Sequence, residues 1–138
     1  MKIEILGKPI AKARPRLGKF GTYTPNKTVY YENLINYTFT QKYPNFKPCE
    51  SEIRVKITAI FEVPKSYSKK KRESLLHVTN LEHSGAGYTY KPDIDNITKI
   101  ILDSLNGLAY KDDSQVTCLV AFKEYGEQAK VIVEIEEV

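Results

Sequence analysis

"PDIDNITKIILDSLNG", from Pro92 to Gly107, has the marks of an amphipathic helix, and the rest of the chain can be read outward from it. Pro92 disfavours helix for the residue before it, Asp93 or Asp95 can cap the first turn, and Asn106-Gly107 supplies a C-terminal stop. At roughly 100° per residue, Ile97, Ile100, Ile101 and Leu105 share one side, while Asp95, Lys99 and Asp103 follow at i, i+4 and i+8 on another. Such a helix needs an apolar layer to cover its isoleucines.

The neighbouring stretches supply one. "SEIRVKITAIFEV" (Ser51–Val63) puts Ile53, Val55, Ile57, Ala59 and Phe61 on one face of a half-buried strand, and Pro64 ends it. "KIEILG" (Lys2–Gly7) alternates in the same way, and "SQVTCLVAFKEY" and "AKVIVEIEEV" read as two strands forming a hairpin around "GEQ". "VYYENLINYTFTQKY" (Val29–Tyr43) carries Tyr30, Leu34, Tyr37 and Gln41 at helical spacing, with Thr28 as its N-cap and Tyr30 toward the core. "SKKKRESLLHV" (Ser68–Val78) fits a short helix capped by Ser68, with Leu75, Leu76 and Val78 as its apolar part. "KPIAKARPRLGKFGTYTPNKT" (Lys8–Thr28), rich in Pro, Gly and bases, has neither period and reads as an extended loop. The order β-α-β-α-α-β-β predicts one α/β (α+β) domain over residues 1–138. Its mixed sheet would have about four strands, with two to three helices packed on it.

Length and composition agree with that class. A chain of 138 residues, 41% hydrophobic, suits one core. No apolar run approaches the ~20 residues a membrane helix needs, and the start lacks a signal-peptide h-region, so a cytoplasmic location without membrane association is expected. Cys49 and Cys118 lie far apart without CxxC spacing, which argues for free thiols rather than a zinc site. His77 and His83 match no ligand pattern either.

Net charge is +4, and its distribution says more than its size. Bases pool between Met1 and Lys27, where Glu4 is the lone acid, and again between Lys65 and Arg72, where there is none. All five aspartates lie between Lys91 and Val116, at Asp93, Asp95, Asp103, Asp112 and Asp113; the twelve glutamates lie elsewhere. Each acid alone has a plain structural use: a helix cap, an i,i+4 partner for Lys99, a polar turn. Two like-charged pairs, Asp93/Asp95 and Asp112/Asp113, are costly together unless a cation joins them. Magnesium or manganese answers that need, since hard cations take carboxylate oxygens and leave room for substrate phosphate. Lys99, one turn past Asp95, would add a second positive charge beside that phosphate, an arrangement suited to phosphoryl transfer.

"KPDIDNITKIILDSLNGLAYKDDSQV" resembles the signature of the RusA family of Holliday junction resolvases, often encoded by bacterial prophages: D-x-D-N-x-x-K, then D-x-L, then D-D-x-Q-V. "KARPR…YTP…YE", between Lys12 and Glu32, is similar to the branch of that family found in Gram-positive hosts. The resemblance implies a RusA-like fold and Mg²⁺-dependent cleavage of four-way DNA junctions in recombination and repair, by a homodimer without a small-molecule cofactor. Mn²⁺ would be a substitute metal. By position, Asp93, Asp95 and Asp113 would hold metal, with Asp112 a further candidate, and Lys99 would be the fourth catalytic residue. "HVTNLEHSGAGYTY" (His77–Tyr90) departs from the family pattern, and substrate contacts would differ there.

For DNA binding, Arg14 and Arg16 flank Pro15 in extended chain, and Arg forks match phosphate oxygens. Lys12 lies beside them, and Lys69, Lys70, Lys71 and Arg72 form a second basic cluster at a helix start, against the dipole. Tyr23, Tyr30 and Tyr31 are candidates to stack on unpaired bases. Two rival readings stand beside the resolvase: a non-catalytic DNA-binding protein with structural acids, and a nuclease acting on flaps or other branched DNA.

Overall fold

The computed structural model describes residues 1–23, 25–78 and 84–138, with the backbone alone for Tyr23, so His83 and the Tyr23 ring lie outside the described residues. The elements run β1 (Lys2–Leu6), β2 (Arg16–Gly18), β3 (Gly21–Tyr23), α1 (Asn26–Lys42), β4 (Ile53–Glu62), α2 (Lys69–Leu76), α3 (Ile94–Leu105), a 3-10 turn (Asp113–Gln115), β5 (Val116–Gly126) and β6 (Lys130–Glu137). The main sheet has four strands in the order β1-β6-β4-β5, mixed because β4 and β5 are parallel and the other pairs antiparallel. The predicted α+β class holds.

Alternation makes β4 a half-buried strand. Ile53, Val55, Ile57, Ala59 and Phe61 are all at most 3% exposed, and Arg54, Lys56 and Glu62 face out. On α3 the predicted isoleucine face is fully buried, with Ile97, Ile100, Ile101 and Leu105 closing the core against the sheet. Each such side chain contributes about 1.5–3 kcal/mol relative to exposure. α1 packs on α3 and on β1, while α3 lies toward β5, so both helices cover one face of the sheet. Ser68 caps α2 as expected, accepting a hydrogen bond from the Lys71 N–H at 3.2 Å.

Three expectations are corrected. α1 buries Thr28, Tyr31, Ile35 and Phe39, whereas Tyr30 and Tyr37 are 69% and 63% exposed. The helix starts after Pro25, so Thr28 sits within it and caps nothing. Tyrosines stand on both faces of this segment, and its weak amphipathicity did not separate them. The Lys8–Thr28 stretch is not wholly loop, because Arg16–Gly18 pairs antiparallel with Gly21–Tyr23. This small hairpin carries Leu17 and Phe20 almost fully exposed, at 86% and 97%.

The third correction concerns β5 and β6. They are not a hairpin: β4 lies between them and pairs with both. β6 buries Val131, Val133 and Ile135 completely or nearly so, which demands an inner position, while β5 takes the edge. The three-residue link must cross two strand spacings, about 9.5 Å, over the end of β4. Gly126 makes the crossing feasible, since a Cβ there would clash with Ile60 Cγ2.

Part of the stretch that departs from the family pattern extends the sheet. Gly87 pairs antiparallel with Glu124, and Tyr88 N–H and Tyr125 N–H bond to Lys123 O and Ala86 O. Gly85 permits this close approach, because a Cβ there would run into Tyr125 O. Residues 79–83 lie outside the described residues.

Candidate active site

The first turn of α3 presents two exposed carboxylates. Asp93 occupies the N-cap position, but its side chain accepts no cap hydrogen bond; the turn is closed by the Ile97 N–H bonding to Asp93 O at 3.1 Å. Among the described residues, Asp95 accepts a bond only from the adjacent Asn96 N–H, at 2.9 Å. Neither acid has an ion-pair partner among the described residues. Asp93 opens instead onto a cleft of ≈ 450 Å³ shared with Lys8, Arg16, Lys27, Lys91 and Asn96. An unpaired carboxylate thus stands in a trough walled by four cations. The backbone bond from Lys12 N–H to Asn96 O, 3.0 Å, ties this N-terminal segment to the start of α3.

The later turns of α3 are organised differently. Lys99 pairs with Asp103 at 3.4 Å rather than with Asp95, and is 61% exposed. Lys12 lies between Glu32 of α1 at 3.0 Å and Asp103 at 3.8 Å, so a chain of alternating charge runs Glu32–Lys12–Asp103–Lys99. Tyr110, fully buried, donates its hydroxyl to Leu102 O at 2.6 Å. Burial foremost, then the charges of Asp113, Asp103 and Asp112, push that hydroxyl's pKa upward.

Within "KDDSQV" the two aspartates separate. Asp112 caps the 3-10 turn in a reciprocal box with Gln115, and the Ser114 hydroxyl donates to it at 2.5 Å. That hydroxyl, followed by the Asn106 side chain and nearby N–H groups, holds the Asp112 pKa below the ordinary aspartate value. Gln115 accepts from Asp112 N–H at 2.8 Å and donates to Cys49 O and Ser51 O at 2.9 and 2.8 Å, pinning the turn to the segment before β4. Asp113 is exposed and has no such partners among the described residues. Of the pair, Asp112 builds and Asp113 presents.

Asp93 and Asp95 stand at the start of α3, whereas Asp113 neighbours Tyr110, whose hydroxyl meets the helix at Leu102, about 10 Å further along the axis. Among the described residues no three His, Cys, Asp or Glu side chains are gathered as a metal-holding group. The structure therefore does not bring Asp93, Asp95 and Asp113 together within the chain. Their oxygens are nevertheless hard, exposed and uncommitted to cations, which is the donor chemistry magnesium takes.

Of the basic candidates, Arg16 lines the cleft, Arg14 is exposed nearby in sequence, and Lys12 is engaged with Glu32 and Asp103. Lys69 and Lys70 are exposed on α2, Lys71 lies 3.9 Å over the Tyr67 ring, and Arg72 reaches Pro64 O at 3.4 Å. His77 ends α2 and is exposed. Sequence reasoning missed Glu32, Gln115, Tyr110 and the cleft bases Lys8, Lys27 and Lys91. Gln115 alone had a visible signal, its place in D-D-x-Q.

The RusA family, described as endodeoxyribonuclease RusA, matches residues 7–136 of this chain. The uncharacterized protein YqaN of Bacillus subtilis (strain 168) is 35% identical over 144 residues, which cover 100% of this chain and 96% of that protein. On this match, spanning both basic N-terminal segment and aspartate segment, the chain belongs to the endodeoxyribonuclease RusA family.

Proposed function

We propose that this chain resolves four-way DNA junctions by paired, symmetric phosphodiester cleavage with a divalent metal, acting as a homodimer. The carrying observation is Asp93: a carboxylate without an ion-pair partner among the described residues, set in a cleft with Lys8, Arg16, Lys27 and Lys91. Cations alone would make a phosphate-binding groove. An acid left bare among them serves chemistry on the phosphate rather than attraction of it.

Asp93 and Asp95, adjacent at the start of α3, would hold magnesium or manganese, and Asp113 is the third carboxylate of the proposed set although it stands apart from them within the chain. Such an ion, when bound, supplies Lewis-acid stabilisation of the phosphate and lowers the pKa of an attacking water. Arg16 and the cleft lysines hold the backbone on either side of the scissile phosphate, with Arg14 extending that path. Lys99, kept in place by Asp103, offers its exposed ammonium to negative charge that develops on the phosphate oxygens. Lys12 and Glu32 extend that positioning network to α1.

The test is cleavage of labelled four-way junction against matched linear duplex, with Mg²⁺, with Ca²⁺ and with EDTA. Paired cuts in the junction with Mg²⁺ alone are expected. Binding without cleavage in every condition would leave a DNA-binding protein, and cutting of flaps in preference to junctions would replace the substrate.

A further inference from the structure

Tyr88 and Tyr90, in the stretch that departs from the family pattern, help to build a second cavity of ≈ 320 Å³. Phe61, Tyr67 and Tyr125 complete its aromatic lining, together with Lys8 and Glu62. Phe61 stacks face to face on Tyr88, with centroids 3.8 Å apart and planes 4° from parallel. Tyr90 and Tyr125 stand at steep angles to Tyr88, 5.7 and 5.2 Å away. Hydrogen bonds fix this arrangement: Tyr88 N–H donates to Lys123 O at 3.0 Å, Tyr125 N–H to Ala86 O at 2.9 Å, and the Lys123 ammonium to Tyr90 O at 2.6 Å. Phe61 and Tyr125, 3% and 8% exposed, serve the core; Tyr90, 62% exposed, does not.

This hollow continues the cleft of Asp93. Lys8 lines both, and the consecutive residues Tyr90 and Lys91 line one each. Two other lining residues, Tyr67 and Pro64, touch the basic start of α2. The Lys71 ammonium lies 3.9 Å over the Tyr67 ring, and Arg72 donates to Pro64 O at 3.4 Å. An aromatic hollow thus lies between two cationic surfaces, the cleft and the start of α2.

We propose that the hollow takes an unpaired nucleobase from the DNA strand whose phosphate lies in the cleft. This occupant deepens the nuclease reading, on which it rests, by giving the chain a means of telling unpaired DNA from duplex. Phosphates on either side of the base meet the cleft cations and the α2 cations, and the base stacks on the exposed Tyr90 ring. Every base has a π-face and an N–H on its Watson–Crick edge, which the Glu62 carboxylate can accept. The same carboxylate repels a phosphate, so the hollow favours a base over more backbone. Bases in duplex are paired and stacked, and pulling one out costs free energy that a branch point or single strand does not demand. Lys71 and Arg72, which the cleavage chemistry leaves without a role, then flank the strand beyond the base.

The test is binding of the full chain, in Ca²⁺, to a four-way junction, to oligodeoxythymidylate and to linear duplex. Tyr90→Ala should weaken the first two about fivefold to a hundredfold, the scale of one lost base stack, and leave duplex binding unchanged. Tyr90→Phe should bind as the wild type does, and Tyr90→Leu, which keeps apolar bulk for the fold, should match Tyr90→Ala. No charge changes in these variants, so the salt slope should stay the same. Junctions carrying one abasic site, placed in turn at each nucleotide beside the branch, should include one position that weakens the wild type by the same factor and Tyr90→Ala not at all. Wild-type affinity of Tyr90→Ala or Tyr90→Leu for the junction overturns the base site, as does additive loss from ring and base at every position. Ring-and-base coupling in a chain that cuts no DNA would keep the base site and remove the nuclease reading; paired cuts without that coupling would do the reverse.

Discussion

Asp93 and Asp95 at the start of α3, and Asp103 and Asp112 beyond its middle, are one side-chain type in two states of engagement. The first pair is exposed, without cations of its own among the described residues, beside a basic cleft. Asp103 is held by Lys99 and Lys12, and Asp112 by Ser114 and Gln115. The contrast teaches that an acid's neighbours, and not its presence in a motif, separate framework from chemistry. Asp113 sides with the free group although it sits next to Asp112.

The largest expected effect falls on the free group. Asp93→Asn, Asp95→Asn and Asp113→Asn keep side-chain size but remove the charge that would hold metal. Cleavage should fall on the order of 10³-fold, the scale of several kcal/mol of lost stabilisation, while junction binding persists in a gel-shift assay. Near wild-type cutting by any of them would collapse the distinction.

Lys99 sharpens it next. Lys99→Ala should cost roughly 10²-fold in cleavage rate, as for loss of one transition-state donor. Lys99→Arg should not rescue, because a planar fork does not replace a compact ammonium. Were the Lys99–Asp103 pair merely structural, both variants would cut normally and lose only a few tenths of a kcal/mol.

On the engaged side, Gln115→Ala should cost on the order of 1 kcal/mol in urea unfolding, since it removes the side-chain donor to Cys49 O and Ser51 O and the acceptor of the Asp112 N–H. Asp112→Asn should lower Tm modestly and spare cleavage. Because the folded Asp112 pKa is depressed, its stabilisation is present at neutral pH and fades as pH drops below the ordinary aspartate range. The Tm gap between wild type and Asp112→Asn should close there. An inactive, fully folded Asp112→Asn would move Asp112 into the free group.

The smallest effect concerns the cleft wall. Neutralising Arg14 and Arg16 together should flatten the salt dependence of junction binding by about 0.9 for each phosphate no longer neutralised. Cleavage by bound enzyme should survive. An unchanged slope would detach the basic loop from the site.

Local patterns were legible where one residue type dictates one environment. The isoleucines of α3 and the alternation of β4 fixed their own faces, Ser68 its cap, and D-x-D-N-x-x-K the family. α1 was not legible, since Tyr30, Tyr31 and Tyr37 suit either side of a helix. Partner choice for β5 and β6 was not legible either, because alternation identifies a strand without naming its neighbour. The division between Asp112 and Asp113 depends on Ser114 and Gln115 folding back on one of them, which spacing does not encode.

The place of β6 has a consequence for how the molecule comes into being. β6 follows every other element in sequence yet lies between β1 and β4, with Ile3 paired to Val133 and Ile57 to Val133 from its other side. Every pairing that closes the sheet is non-local, which slows folding relative to hairpin-built sheets. A nascent chain still short of β6 has its aspartates already made but lacks the strand that joins the two sides of their platform. The platform that carries those aspartates is thus completed only by the last strand to be made.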